Sequence, residues 1–422
     1  MTSASARPPE LARRLTLLDA VVIGLGSMIG AGVFAVFAPA AAVAGAGLLV
    51  GLAIAAVIAL CNATSSAQLA AQYPTSGGSY VYGRERLGQW PGFLAGWAFV
   101  IGKTASCAAM ALIFAAYAVP IPWQKPVAVA AVLALGAVNL FGVTRTATLA
   151  RILVACVLTI LLAVIVIAVR SSPAEQTPAL TVTEVFMDGW YAILQSAGFL
   201  FFAFAGYARI ATMGEEVKNP SKSIPRAITF SLAGVLLLYT VIAVVLLNAL
   251  GPERLASSSA PLVTVVTDAG VSWMAPVVTV GAALASLGAL LALIAGVGRT
   301  TMAMARNHDL PHWLAAIHPR SQVPHYAEIA LALTVCAIIV VVDARQAIGF
   351  SSFGVLLYYL IANLSAFTQD RQYRRYPRAM QLLGAVGCLT LVVTLPWQSI
   401  FAGAIIVAIG ALYRVVMLYR AR

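Results

Sequence analysis

Charged residues are scarce in this chain of 422 residues: Asp, Glu, Lys and Arg together make up 9%, whereas 61% of the residues are apolar. Soluble domains carry about 25% charged and roughly 45–50% apolar residues. The scarcity of charge therefore excludes a soluble globular domain, and the high hydrophobicity excludes a disordered chain. Long apolar runs, in place of short alternating segments, also argue against a membrane β-barrel. The composition predicts a polytopic all-α membrane protein.

Groups that carry chemistry are also few. The five cysteines lie singly in apolar stretches, and no pair has metal-ligand or redox spacing. No histidine and no pair of carboxylates lies within a predicted span, so an intramembrane enzyme is not expected. All four histidines lie in one predicted loop, about 303–326, and their spacing matches no standard ligand pattern. We therefore expect no enzyme activity, no metal and no cofactor, with a metal site in this loop as the weaker alternative. These histidines are His308, His312, His318 and His325.

Apolar runs bounded by turn signals predict about twelve transmembrane helices. The predicted limits are 18–43, 47–71, 91–118, 126–142, 149–169, 186–213, 227–250, 272–302, 327–342, 347–367, 380–395 and 398–418. The first run extends from Leu15 to Val43, which is too long for the apolar part of a cleaved signal peptide. No predicted loop is long enough to form a separate domain.

The net charge of +12 permits two readings, nucleic-acid binding or membrane orientation. With the N-terminus placed inside, 20 of the 26 Lys and Arg residues fall in cytoplasmic segments. Four fall outside, and two lie within helices, Lys103 and Arg209. The bias never inverts along the chain, so we expect a multi-pass protein of the cytoplasmic membrane with both termini cytoplasmic, beside lipid and without nucleic acid.

Two predicted helices carry glycine and polar residues where an ordinary span carries leucine and valine. Four glycines lie between Gly24 and Gly32 in the first helix, and the sixth contains Gly206 followed by Arg209. Glycine costs up to about 1 kcal/mol in a helix interior, so both helices are expected to break. A broken helix at membrane depth exposes backbone groups that suit a zwitterion or an ion. Close packing of helices through small residues is the alternative.

Three segments resemble the amino acid–polyamine–organocation (APC) family of transporters, of the bacterial amino acid permease type. The first is residues 26–34, similar to the family's first-helix binding motif, and the second joins residues 73–80 and 92–97. The third joins the Phe-Phe-Ala-Phe-Ala-Gly-Tyr run at 201–207 to the Glu-Glu-Val-Lys-Asn-Pro run at 215–220. A weaker match covers residues 302–306 at the end of the eighth helix and residues 310–311 after it.

The resemblance implies a LeuT-type fold with two inverted five-helix repeats, at 18–169 and 186–367, and two further helices at 380–418. It also implies alternating access around a site between helices one, three, six, eight and ten, and the charge distribution makes residues 1–17 a cytoplasmic tail. The residues that the family pattern assigns to the substrate's α-amino and α-carboxylate groups are Ser27, Met28, Ile29, Gly30, Ala31 and Gly32. From helix six, Phe202, Ala205 and Gly206 would face the substrate, and Lys103 falls where the third helix often reaches the site.

The chain departs from the family pattern at several positions. Leu293 lies where some members place a gating aromatic residue, and Ala208 lies where many members have an acid. The predicted fifth helix lacks the lysine that replaces a sodium ion in some proton-coupled members. The coupling ion, proton or sodium, therefore stays open. The lack of an acid at Ala208 favours a neutral amino acid over a polyamine or another organocation, because a buried cation needs a partner.

Charged residues within or beside the spans are candidates for coupling or gating. Lys103 lies about twelve residues into its span and is expected to face the cavity, to pair with a substrate carboxylate or carry a proton. Snorkelling or a structural pair is the alternative. Arg209 follows the sixth-helix break, and Glu215 or Glu216 is expected to cap or pair near the inner gate unless both belong to a solvated face.

The sequence thus predicts a secondary active transporter, an ion-coupled permease or an exchanger, whose partner is a small amino acid. The alternatives are a carrier of organocations or other small solutes, an exporter, and a channel or membrane sensor that binds an amino acid without moving it.

Overall fold

The computed structural model describes residues 15–30, 32–73, 77–141, 147–171, 182–211 and 217–420. These parts of the chain form helices and contain no β-strand. The α-helices are α1 (Leu17–Ile29), α2 (Gly32–Ala35), α3 (Phe37–Ala44), α4 (Leu48–Gln72), α5 (Ser79–Leu87), α6 (Gln89–Ala118), α7 (Ile121–Leu140), α8 (Ala147–Ser171), α9 (Val182–Val185), α10 (Gly189–Phe204), α11 (Ala208–Ala211), α12 (Pro220–Ser257), α13 (Pro261–Asp268), α14 (Ala275–Arg306), α15 (His325–Val341), α16 (Ala344–Phe367), α17 (Arg378–Thr394) and α18 (Trp397–Arg420).

Ten helical stretches in the described ranges are long and apolar enough to cross a bilayer. Helices α15 and α17 are shorter, with 17 residues each. At 1.5 Å per residue they extend over about 25 Å, slightly less than a hydrocarbon core of about 30 Å. They coincide with the ninth and eleventh predicted spans. The prediction of a polytopic all-α membrane protein is confirmed, and the division into two inverted repeats stays a prediction.

The predicted limits of several spans were too narrow. The seventh helix was expected at 227–250, but α12 begins at Pro220, because proline is well suited to the first turn of a helix. Helix α12 kinks at Gly251, whose φ of 70° is non-helical, and a further helical piece extends to Ser257. The short helix α13, on the far side of this kink, was not predicted.

Helix α6 forms the centre of the bundle. In its most apolar 18-residue window 83% of the residues are buried, compared with 17% in α7 and in α18. It packs against α14 and α16, and a Cβ atom at Gly354 of α16 would lie 2.7 Å from the Cα of Gly102. The two backbones can approach this closely because both residues lack a side chain. Residues of α6 near Gly102 therefore face neighbouring helices and not lipid.

The start of α1 is fixed by a polar contact. Thr16 and Asp19 form a reciprocal capping box, and Arg151 of α8 makes an ion pair with the Asp19 carboxylate. The capping box satisfies backbone N–H groups that the first turn leaves without partners. Asp19 therefore acts as a helix-start residue of α1.

A buried ionic cluster joins three elements on the side that the charge distribution predicts to be cytoplasmic. The Asp309 carboxylate is paired with Arg84 of α5 at 2.8 Å and with Arg414 of α18. It also accepts a hydrogen bond of 2.7 Å from the Tyr80 hydroxyl. Burial, followed by the Asp309 carboxylate, raises the pKa of Tyr80 far above its usual value, so the hydroxyl stays a donor.

Replacing Asp309 with alanine is expected to lower the free energy of unfolding by about 3–5 kcal/mol, because the buried Arg414 guanidinium loses its counterion. Asp370 offers a matched control, since its carboxylate is 64% exposed and pairs with Arg86 at 3.2 Å. The Asp370→Ala change should cost at most about 1 kcal/mol. Thermal unfolding of the purified variants measures both, and equal melting temperatures would contradict this reading of the cluster.

Candidate functional site

The first predicted break is present in the structure. Helix α1 ends at Ile29, and Gly30 has backbone angles of φ 7° and ψ −135°, outside the helical region. The chain becomes helical again at Gly32. The last turn of α1, which contains Ser27 and Met28, therefore has carbonyl groups without partners in the same helix. Ala31, also assigned to the site, lies outside the described residues.

The second predicted break is a tightened turn and not an extended segment. Helix α10 ends at Phe204, residues Ala205–Tyr207 form one 3₁₀ turn, and α11 follows from Ala208. Such a turn within a helix changes the hydrogen-bond pattern and frees backbone groups. Phe202 and Ala205 are buried here, and Gly206 is partly buried.

The two breaks contact each other directly. A Cβ atom at Gly206 would lie 2.2 Å from the carbonyl oxygen of Ser27 and 2.6 Å from the amide nitrogen of Met28. Likewise, a Cβ atom at Gly32 would lie 2.9 Å from the Cα of Ala203. Real Cβ atoms do not approach other atoms so closely, so glycine at these positions allows the broken segments to meet. The sequence left close helix packing and exposed backbone groups as alternative explanations of these glycines. Both are present where the two breaks meet.

Tyr239 of α12 connects the two broken segments. Its hydroxyl lies 2.6 Å from the carbonyl oxygen of Met28, to which it donates, and 3.3 Å from that of Ala203. The residue is fully buried. The Tyr239 side chain therefore fixes the distance between a carbonyl near the end of α1 and another in the last turn of α10.

The Tyr239→Phe change should reduce transport by about tenfold, because a buried carbonyl left without its donor costs roughly 1–3 kcal/mol and the breaks lose a fixed spacing. The rate of labelled-substrate exchange in proteoliposomes measures this effect. Tyr419 is 75% exposed near the end of α18, so Tyr419→Phe is a matched control and should exchange at the wild-type rate. Equal rates for the two variants would show that the Tyr239 hydroxyl has no part in the site.

Lys103 of α6 reaches the second break. Its ammonium group donates to the Ala205 carbonyl at 3.4 Å, and the Tyr359 hydroxyl of α16 donates to the same oxygen at 3.3 Å. Lys103 is 7% exposed, and within the described parts of the chain it takes part in no ion pair. The ammonium group therefore does not snorkel to the membrane surface. Its contact is with backbone, which leaves its charge uncompensated by a carboxylate among these residues.

The remaining candidates lie around the breaks or outside the described ranges. Arg209 of α11 is partly buried, three residues beyond Gly206. Leu293 of α14 is partly buried and lies one turn beyond Ala289, whose Cβ would be 3.0 Å from a Cβ at Gly30. It thus shares a helix face with a residue that contacts the first break. Glu215 and Glu216 lie outside the described residues.

Sequence reasoning missed both tyrosines that donate to the breaks. Tyr239 and Tyr359 are each a polar-tipped residue within a predicted span, which is the signal that could have identified them. Their partners are backbone carbonyls 36 to 211 positions away in the chain. Among the described residues, no three His, Cys, Asp or Glu side chains come together in a way that could hold a metal ion.

Known proteins are similar in sequence to nearly the whole of this chain. A family model described as amino acid permease matches residues 15–419. An uncharacterized transporter of Mycobacterium tuberculosis is 56% identical over 403 residues, which cover 96% of this chain and 91% of that protein. The branched-chain amino acid permease of Bacillus subtilis is 24% identical over 442 residues, covering 97% and 94%. The chloroplastic cationic amino acid transporter 6 of Arabidopsis thaliana is 28% identical over 429 residues, covering 93% and 72%.

Proposed function

Because this chain belongs to the amino acid permease family of transporters, we propose that it is a secondary active transporter of neutral amino acids. It moves them across the cytoplasmic membrane by alternating access, with both termini on the cytoplasmic side. The contact between the two helix breaks is the observation that carries the proposal, since Gly206 lies against the Ser27 carbonyl with no room for a Cβ atom. Two inverted repeats, at 18–169 and 186–367, and the helices at 380–418 provide the moving parts.

The backbone at the breaks suits the two charges that all free amino acids carry. The carbonyl groups at the end of α1 form the negative end of a 13-residue helix and favour the α-ammonium group. Lys103 offers a buried cation for the α-carboxylate, and a charge-assisted hydrogen bond of this kind is stronger than a neutral one. The residues proposed to contact the substrate are Ser27, Met28, Ile29, Gly30, Ala31, Gly32, Lys103, Phe202, Ala205 and Gly206.

The surroundings of the breaks favour a neutral side chain. Ala205, Ala208, Ala289 and Leu293 are small or aliphatic, and none of them supplies a carboxylate. A cationic side chain would share the site with Lys103 and meet like-charge repulsion in a poorly solvated place. The name of the Bacillus subtilis relative, a branched-chain amino acid permease, agrees with this choice.

Transport of cationic amino acids is the second candidate, because several plant relatives carry that name at 27–28% identity. It requires a carboxylate near the substrate side chain. Glu215 and Glu216 are the nearest acids in the sequence after the second break, and we propose that they and Arg209 belong to the inner gate.

Counterflow in proteoliposomes tests the proposal. Vesicles are loaded with unlabelled leucine, and the entry of labelled leucine is followed in competition with a panel of neutral and cationic amino acids and putrescine. We expect counterflow that leucine, isoleucine and valine inhibit and that arginine and putrescine do not. Counterflow of arginine alone would favour the cationic alternative. The absence of counterflow with every amino acid, in protein that still binds one of them, would indicate a sensor.

A further inference from the structure

Glu328 is a buried carboxylate that the site described above does not use. It lies in the first turn of α15, and its residue is 3% exposed. Two other buried carboxylates in the described parts of the chain are paired, Asp19 with Arg151 and Asp309 with two arginines. Within the same ranges, the Oε2 atom of Glu328 has no hydrogen-bond partner. A buried polar atom without a partner in a folded protein requires an explanation.

The surroundings of Glu328 provide little compensation for a negative charge. A Cβ atom at Gly298 of α14 would lie 2.9 Å from the Cγ of Glu328 and 3.6 Å from its Oε1 atom, so the carboxyl group is packed against the backbone of α14. Pro324 contacts the same glycine. The first turn of a helix favours an acid by about 0.3–1 kcal/mol, which is small beside the cost of burying an unpaired carboxylate.

Arg299 directly follows Gly298 on α14 and so places a cation next in sequence to the residue that Glu328 contacts. Its side chain is exposed, and the two residues do not form an ion pair in the structure. On α15 itself, the buried Nδ1 atom of His325 has no partner, and the ring lies beside that of His318.

The other elements that pack on α15 carry titratable or charged groups that are bound or placed elsewhere. On α6, Lys103 donates to Ala205, and Cys107 lies one turn further along. On α7, Lys125 donates to the carbonyl of Val340, twelve residues beyond Glu328. The 3₁₀ turn His312–Ala315 contributes His312, whose ring stacks on that of His308.

The Glu328 carboxyl can be stabilised in two ways, of which the structure shows the first. Packed against Gly298 without a partner, it avoids the cost of a buried charge when it carries a proton. If α14 and α15 shift so that Arg299 can reach it, the carboxylate gains a counterion and the proton leaves. The exchange between these two arrangements depends on small displacements of the helices, because a buried group with incomplete hydrogen bonding is sensitive to its exact geometry.

Helix α14 connects this point to the proposed substrate site. Ala289, which contacts the first break at Gly30, lies nine residues before Gly298 on the same helix. At 1.5 Å per residue the separation is about 13 Å. A displacement of α14 relative to α15 would therefore change the contacts of both the first break and Glu328.

We propose that Glu328 carries the proton that couples amino acid transport to a proton gradient. It binds one proton in the conformation that packs it against Gly298 and releases the proton to the cytoplasm after the helices rearrange, because the first turn of α15 lies at the predicted cytoplasmic side. This inference rests on the transport function proposed above and assigns its driving ion.

The test compares the wild type with Glu328→Gln, Glu328→Asp and, as a matched control, Glu85→Gln in proteoliposomes. Glu85 is an exposed glutamate on α5, on the same predicted side of the membrane. Two readouts are taken for leucine: accumulation driven by an imposed pH gradient, and counterflow without a gradient. Glutamine keeps the shape of the side chain but cannot titrate, whereas aspartate restores a titratable carboxyl group.

We expect Glu328→Gln to lower proton-driven accumulation at least about tenfold and to flatten its pH dependence, with counterflow within about twofold of the wild type. Glu328→Asp should regain part of the proton dependence, and Glu85→Gln should match the wild type. Three results would overturn the inference: wild-type transport that ignores the pH gradient, a Glu328→Gln variant that still follows it, or equal losses of accumulation and counterflow in both Glu328 variants. Failure of the transport function itself would appear differently, as no amino acid counterflow in the wild type.

Discussion

Replacing Gly206 with alanine is expected to lower amino acid counterflow by at least about 100-fold. The added Cβ atom would lie 2.2 Å from the carbonyl oxygen and 2.4 Å from the carbonyl carbon of Ser27. Both are backbone atoms, so no flexible side chain can move aside. Overpacking typically costs about 1–3 kcal/mol, and relief here requires the two helix breaks to move apart. A loss of about 3 kcal/mol in the transporting geometry corresponds to roughly two orders of magnitude in rate.

The matched control for Gly206 is Gly296→Ala on α14. A Cβ atom at Gly296 meets no other atom within 4 Å, and the residue is within a regular helix. This variant should keep the wild-type counterflow rate and melting temperature. If Gly206→Ala exchanged amino acid as fast as Gly296→Ala, close contact of the breaks would not be needed for transport.

The Lys103→Met change is expected to abolish transport, with a loss of at least about 100-fold in counterflow. Methionine keeps an unbranched side chain of similar length but removes the ammonium group, which is the cation proposed for the substrate carboxylate. Charge-assisted hydrogen bonds contribute about 1.5–3 kcal/mol each, and Lys103 also holds the Ala205 carbonyl at the second break. Removing both contacts affects binding of the substrate and the shape of the site together.

Lys125 provides the matched control, because it is a lysine that also donates to a backbone carbonyl, that of Val340, but does so at an exposed position. Lys125→Met should transport at near the wild-type rate, since an exposed contact contributes little. Near-normal counterflow by Lys103→Met would place the substrate carboxylate elsewhere.

The breaks and the spans could be predicted because they depend on local composition. Glycine at 30, 32 and 206 weakens the helix wherever the chain folds, and a stretch of about 20 apolar residues requires a bilayer. The contacts that surround the breaks could not be predicted in the same way. Tyr359 finds its partner 154 residues away, and no spacing rule connects such positions. Local sequence therefore indicates where the helix opens, and tertiary packing decides which side chains reach the opening.

Glu328 illustrates the same limit from the opposite direction. In the sequence it is one acid near the start of a predicted span and resembles an ordinary helix-start residue. Its burial follows from Gly298, which lies 30 positions earlier and lets α15 pack closely on α14. The 3₁₀ form of the second break could not be read from the sequence either, which indicated only that the helix breaks near Gly206.

The central claim is that the meeting point of the two breaks is the amino acid site, and alkylation of a cysteine placed there tests it most directly. Ser27→Cys is introduced into a variant without the native cysteines, together with Glu85→Cys, which lies at an exposed position on α5 outside the spans and serves as the internal control. The rate of reaction with a small thiol reagent is measured with and without leucine. We predict that leucine slows the reaction of the cysteine at position 27 at least about fivefold, as expected at a ligand concentration several times Kd, and leaves the reaction of the cysteine at position 85 unchanged. Equal rates at position 27 with and without every transported amino acid would contradict the account.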